Sequence, residues 1–279
     1  MGKPSVALVS VHYYPDYQRR NLREIRRLKG AIAIDRHVGV LNASRNLIPG
    51  DTDRHGVEWV QHDNVGQEFG AYQRGLDALL EGERPDWVIF MNDTLGTHTR
   101  IPSGVLTRLH QELDKPRSTL PVAVGLLDGC ERSMQIGGHR GHRWIRTHTV
   151  ALNDVALRAL EDRIRVGEID SLISGGDTEE SFFAAECEPA LKLHLLSWLF
   201  QPDGWSKWYR AACLTSDNCG PMARKARSIM QEFYLSFRLE SACAIFIDLR
   251  AATTLGKLRD RIETEWFFRT TPGSIRQAG

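Results

Sequence analysis

The chain has 279 residues and a formal net charge of +1, with 42% hydrophobic and 25% charged residues. That balance is ordinary for a soluble globular protein of one large domain, or a domain with a helical appendage, and it excludes a global field directed at nucleic acid. No apolar run reaches the length of a membrane span, and the five cysteines (130, 187, 213, 219 and 243) form no C-x-x-C pair. The N-terminus lacks a charged region followed by a long apolar one. The thiols are therefore expected to be reduced and the protein cytoplasmic.

Ser5–His12 is an apolar, β-branched run, expected as a first parallel strand. It ends in a Pro/Asp loop where His12 and Tyr13 either touch a nucleotide base or ribose or simply pack. A helix over Gln18–Lys29 puts Leu22, Ile25 and Leu28 on one face and Arg19, Arg20, Arg23, Arg26, Arg27 and Lys29 elsewhere. Those cations form a solvated face, or one drawn to an anionic lipid surface or a lipid-diphosphate acceptor. A second strand is expected over Ile32–Leu41, interrupted at Asp35-Arg36-His37 and running into Asn42-Ala43-Ser44. A third is expected over Val57–Gln61.

The next stretch, His62 to Leu76, is a glycine-punctuated loop entering a helix that ends near Glu81-Gly82. Gly66 and Gly70 allow close backbone approach, and a helix N-terminus favours an anion. Trp87-Val88-Ile89-Phe90-Met91 reads as a buried strand that stops at Asn92-Asp93-Thr94. Open α/β sheets bind ligands at the carboxyl ends of their strands, and this cluster of hard oxygens suits a divalent cation holding a diphosphate.

Beyond it, the pattern predicts a helix over Ser103–Leu113, a strand over Pro121–Leu127 and a Gly/His/Arg loop over Gly137–Trp144. The loop's histidines match no zinc spacing. A strand over Thr147–Leu152 and a helix over Asn153–Arg163, capped by Asn153 or Asp154, follow. Asp177–Phe200 reads as one helix kinked or divided by Pro189. Trp198, Trp205 and Trp208 either pack helices or form a stacking platform for a sugar. A helix over Pro221–Ala244, a late strand over Ala244–Leu249 and a loosely ordered tail after Thr270 complete the reading.

Taken in order, the Asn42-Ala43-Ser44 strand end, Asn64-x-Gly66 with Gly70, Gly75 and Leu76, and Ile89-Phe90-Met91-Asn92-Asp93 resemble the nucleotide-sugar half of GT-A glycosyltransferases. Met91-Asn92-Asp93-Thr94-x-Gly96 is similar to the strand tip of bacterial rhamnan-synthesis and related polysaccharide glycosyltransferases. Gln231-Glu232-Phe233-Tyr234-Leu235-Ser236-Phe237-Arg238-Leu239 resembles the Glu-Asp-x-x-Leu-Ser-x-Arg-Leu stretch that carries the base of inverting members.

The resemblance implies an α/β fold with a GT-A-like (Rossmann-like), mostly parallel sheet flanked by helices and a largely helical C-terminal part. Residues 1–165 would form the nucleotide-sugar-binding half, and 166–279 the acceptor side packed on the same domain. It implies an inverting transfer from a nucleotide-diphosphate sugar to a glycan or lipid-linked acceptor, at the cytoplasmic face of a membrane or free in the cytoplasm.

His12, Tyr13, Asn42, Ser44, Asn64, Gly66, Gly70, Gln73, Asn92, Asp93 and Arg143 would bind the donor, with Asp93 on a divalent Mn or Mg ion. Arg140 and Arg146 could add positive charge. Glu232 is the first candidate base, with Asp177 and Glu179 as rivals. The single acids at Asn92-Asp93 and Gln231-Glu232 keep open a catalytically inactive nucleotide-sugar-binding module. Absence of a G-x-G-x-x-G fingerprint speaks against a dehydrogenase.

Overall fold

A computed structural model describes residues 2–42, 56–200 and 211–270. Strands β1 (Val6–His12), β2 (Arg36–Asn42), β3 (Glu58–His62) and β4 (Trp87–Met91) are parallel and lie side by side in the order β3-β2-β1-β4. Beyond β4 the sheet continues with β6 (His139–Asn153), β5 (Val122–Ile136) and β7 (Ile245–Asp248). β6 runs antiparallel to both neighbours, and β7 pairs with β5 in parallel.

β1 and β4 are buried at every position. A strand covered on both faces needs a continuous apolar run, which is what the sequence carries there. The side-chain alternation divides the core in two. Ala7, Val9 and Val11 face α2 (Gln67–Leu80) with Phe69, Tyr72 and Leu76, while Val6 and Leu8 face α1 (Pro15–Ala31) and α3 (Ser103–Leu113) with Ile25, Leu28 and Leu109. α2 lies close to the sheet because Gly75 has no side chain: a Cβ there would stand 2.4 Å from Val9 Cγ1. A third cluster joins the far half of the β5–β6 hairpin to α6 (Pro189–Leu199) and α7 (Cys219–Ser241), through Met134, Ile136, Leu191, Leu195, Phe233 and Phe237.

Several expected boundaries move. The second strand begins at Arg36 rather than Ile32, because Asp35 turns the chain: its Oδ2 accepts the Val6 N–H and its own N–H donates to the Val6 carbonyl, both at 2.8 Å. Gly137–Trp144 is not a loop. Gly137 (φ +52°) and Gly138 (φ +85°) make a tight hairpin turn, and residues 139–144 belong to β6. Two consecutive positive φ angles match the twist of paired strands.

Asp177–Phe200 is two helices, α5 (Glu179–Phe182) and α6. Pro189 stands in the first turn of α6, where its missing N–H costs nothing. The helix expected over Asn153–Arg163 is the short α4 (Asp154–Ala159), capped by Asn153, whose side chain accepts from the Ala156 N–H. It ends where Glu161 and Asp162 take positive φ angles. A last helix, α8 (Thr254–Thr270), was not expected from the sequence. Ala43, Ser44, Trp205, Trp208 and the tail after Thr270 lie outside the described residues. Among those described, no helix is long and apolar enough to cross a membrane.

Candidate functional site

The carboxyl ends of β2 and β3 meet the N-terminus of α2 through a shaped loop. Asn64 (φ +69°), Gly66 (φ +74°) and Gln67 (φ +54°) all take left-handed conformations. Asn42 holds the loop against the sheet, its Nδ2 donating to Asn64 Oδ1 at 2.8 Å and to the Gln67 carbonyl at 3.2 Å. Gly66 caps α2, and Gly70 donates its N–H to the Gly66 carbonyl at 3.0 Å. A Cβ on Gly70 would stand 1.9 Å from the Val65 carbonyl oxygen, so only glycine fits.

A cavity of about 550 Å³ opens here, lined among others by Asn64, Gly66, Gln67, Arg165, Arg224 and Arg227. That volume falls within the range of small-molecule sites. Its cations outnumber its one acid, Asp170. Arg165 pairs with Asp170 at 2.8 Å and leaves its buried Nε without a partner. Arg227 donates to the Asp170 and Ile173 carbonyls, while Arg224 is exposed. Arginines beside the positive end of a helix make a cavity suited to an anion such as a diphosphate.

Three carboxylates from three elements lie near enough for the charges of two of them, Asp93 and Glu232, to act on the third, Glu68. Glu68 stands in the first turn of α2, Asp93 follows β4 and Glu232 lies within α7. Burial pushes Glu68 up to about 8, with the Glu232 and Asp93 charges adding to it and a hydrogen bond from Asn92 Nδ2 (3.1 Å) opposing it. Glu232 is pushed up to about 7 by burial, against the hydrogen bonds it accepts from Thr147. Those bonds come from the Thr147 N–H at 2.6 Å and hydroxyl at 2.8 Å. Tyr72 completes the arrangement, its hydroxyl donating to the Thr147 carbonyl at 2.7 Å. Carboxyl groups held near neutrality in this way are common where acid–base chemistry is done.

Asp93 itself is 4% exposed and does not line the cavity. Its Oδ2 accepts the backbone N–H groups of Tyr13 and Tyr14, each at 2.7 Å, which pins the turn from β1 into α1. Burial raises its carboxyl to about 6 despite those bonds. The Asp93 carboxyl thus serves the turn from β1 into α1, while other residues line the cavity. This also bears on a metal: one oxygen of the single acid is already engaged. Among the described residues no three His, Cys, Asp or Glu side chains converge to hold an ion. The other carboxylate oxygen of Asp93 is the one left to face a cation.

Other expected site residues are placed elsewhere. His12 is fully buried, bonded through Nε2 to Ser10 Oγ at 2.9 Å and held neutral by burial, its pKa lowered to about 4. Tyr13 is 37% exposed and stacks edge-on against Tyr14. Gln73 is a bracket for the segment after α4: its Nε2 donates to the Asp162 carbonyl and its Oε1 accepts from the Ile164 N–H. Arg143 pairs with Glu240 at 3.5 Å and lies over the Phe246 ring, and Arg146 pairs with Asp128. Asp177 and Glu179 are exposed at the start of α5. Asn42, Asn64, Gly66, Gly70 and Asn92 build the loop and the acid cluster as described.

Glu68, Thr147, Arg165, Arg224 and Arg227 were not singled out from sequence. An acid in the first turn of a helix is ordinary, and nothing local marks an arginine that will face a distant loop.

No family model and no curated protein matches the chain. Among solved structures it is similar to the mannosyltransferase PcManGT from Pyrobaculum calidifontis in complex with GDP-Man and Mn2+, at 12% identity and a TM-score of 0.39, over 98% of this chain and 83% of that one. It is similar to a 4-diphosphocytidyl-2C-methyl-D-erythritol synthase at 18% identity and a TM-score of 0.38, over 57% of this chain and 80% of that one. A glycosyltransferase involved in glycosylation of the major capsid of PBCV-1 is similar at 8% identity and a TM-score of 0.35, over 58% of this chain and 65% of that one. At these identities and scores none of them assigns a function. The architecture itself is a mixed, mostly parallel seven-stranded sheet flanked by helices, with further helices at the C-terminal end.

Proposed function

We propose that this protein is a glycosyltransferase that moves a sugar from a nucleoside-diphosphate donor to an acceptor hydroxyl with inversion. The observation that carries the reading is Glu232. Its carboxyl is raised to about 7, and it stands one helical turn beyond Ser228, which lines the anion-suited cavity. Ser228 and Gln231 of α7 line the cavity, and Glu232 is the next residue of the same helix, one turn on from Ser228. In this reading the diphosphate lies against the α2 N-terminus with Arg165, Arg224 and Arg227, whose charge offsets that of the leaving group. Glu232 takes the acceptor's proton as its oxygen attacks the anomeric carbon and the bond to the diphosphate breaks. The motif order in the sequence supports the same reading and suggests a glycan or lipid-linked acceptor of bacterial polysaccharide or glycoconjugate assembly.

The test is release of nucleoside diphosphate from a panel of nucleotide sugars, with the wild type and Glu232→Gln. Glu232→Gln should bind the donor unchanged and turn it over roughly a hundredfold or more slowly, the usual contribution of a positioned base. A second reading is supported by the backbone N–H groups that engage both Asp93 and Glu232: a nucleotide-sugar-binding module without catalysis. Binding by the wild type without consumption against any acceptor would decide for it.

A further inference from the structure

α8 is docked with its charged side inward. Asp260 pairs with Arg108 of α3, and Glu263 pairs with Arg27 and Arg100, each at 3.3 Å, while accepting the Ser103 N–H at 2.9 Å. Phe267 is its one buried residue, lying under the Arg100 guanidinium. The opposite face carries Leu255, Leu258, Ile262 and Trp266, which are 77%, 52%, 58% and 61% exposed. Their spacing of three and four residues puts them on one stripe, and with Arg259 and the edge of Glu263 they line a shallow apolar groove. A helix in a water-soluble fold turns its apolar stripe inward unless something covers it outside.

The charges around this stripe indicate what covers it. Lys257, Arg259, Arg261 and Arg269 are exposed along α8. Arg27 ties α8 to α1, whose Arg19, Arg23 and Arg26 are exposed as well. Of the acids of α8, Asp260 and Glu263 pair inward with arginines, and the half-buried Glu265 stands against the four exposed cations. A second copy docked on the same face would bring cations against cations. An anionic lipid surface complements the cations and takes up the leucine, isoleucine and tryptophan side chains at its headgroup boundary.

We infer that α8 is an interfacial anchor that binds the protein to anionic membranes through Leu255, Leu258, Ile262 and Trp266, ringed by basic residues. This inference is independent of the reaction at the cavity.

The full chain is sedimented with vesicles of phosphatidylcholine alone, or mixed in about equal parts with phosphatidylglycerol. Wild type should bind the mixed vesicles and weaken as salt rises, because the electrostatic part is screened. Leu258→Ser/Ile262→Ser/Trp266→Ser and, separately, Lys257→Glu/Arg261→Glu should each bind about tenfold or more weakly, since both the apolar and the charged parts are needed. Both variants change exposed side chains, and an unchanged melting temperature shows that they fold. The inference is overturned if wild type ignores the mixed vesicles, or binds both kinds equally. It is also overturned if wild type is a dimer in sedimentation equilibrium that the triple substitution turns into a monomer, for a second copy then covers the stripe.

Discussion

Thr147 donates both its N–H and its hydroxyl to one oxygen of Glu232, at 2.6 and 2.8 Å, and so joins β6 to the middle of α7. The same contact that locates the candidate base also fastens the helix that carries it. Structural and chemical roles can therefore be separated by the choice of substitution. Glu232→Gln keeps an acceptor for Thr147 and should leave the urea midpoint nearly unchanged while turnover falls. Glu232→Ala strands the Thr147 donors and should cost about 1–3 kcal/mol in urea unfolding, the price of a buried hydrogen-bonding group left without a partner.

Glu68 makes stability depend on pH in a direction opposite to that of an ion-paired acid. Its carboxyl sits at about 8 in the folded protein against an ordinary value of 4.5. Between those values the native state holds a proton that the unfolded chain has released, so stability falls as pH rises through the window. The contribution is complete below about 4.5 and is lost as pH passes about 8. Urea midpoints measured across this range should decline for wild type. Glu68→Gln, which cannot ionise, should lessen the decline, above all between about 7 and 8, while the raised carboxyls of Glu232 and Asp93 keep part of it at lower pH. An equal slope in both proteins would assign the pH dependence to another group.

The Glu232 carboxyl must be ionised to accept a proton, and it titrates at about 7. The value of kcat/KM should therefore rise with pH through about 7 and level off above it, the profile of a required base. Glu232→Gln should remove that limb from whatever activity remains.

Arg224 is the exposed arginine of the cavity, whereas Arg165 and Arg227 also hold Asp170 and the carbonyls around it. Arg224→Ala should weaken binding of a nucleoside diphosphate in titration calorimetry about tenfold, the loss of one charge-assisted hydrogen bond. Its melting temperature without ligand should stay put. Unchanged affinity would move the phosphates away from this wall.

Gly70→Ala sets a side chain against the Val65 carbonyl, which is backbone and cannot swing aside. It should destabilise the fold by about 1–3 kcal/mol in urea unfolding, in the range of overpacked sites. Nucleotide affinity should fall with it, because the displaced loop forms the cavity's rim.

Much of the fold was legible in the chain. β1 and β4 announce themselves as unbroken apolar runs, and Ser103–Leu113 coincides with α3 end to end. The reading failed where local pattern is silent. The outer part of the β5–β6 hairpin is polar and glycine-rich, so it resembles a loop until its two strands are seen to pair with each other. α8 was missed although Leu255, Leu258, Ile262 and Trp266 recur at helical spacing; what the chain does not show is that its inward face is held by ion pairs from α1 and α3.

What the sequence determined by itself was the layered α/β frame and the residues at its carboxyl edge, because hydrophobic alternation and glycine placement are local properties. What only the tertiary structure decided was the chemistry of that edge. Asp93 became a pin for two backbone amides, and Glu68 and Glu232 became the raised carboxyls, because a side chain's protonation and reach depend on which distant elements exclude water around it and which donors they supply.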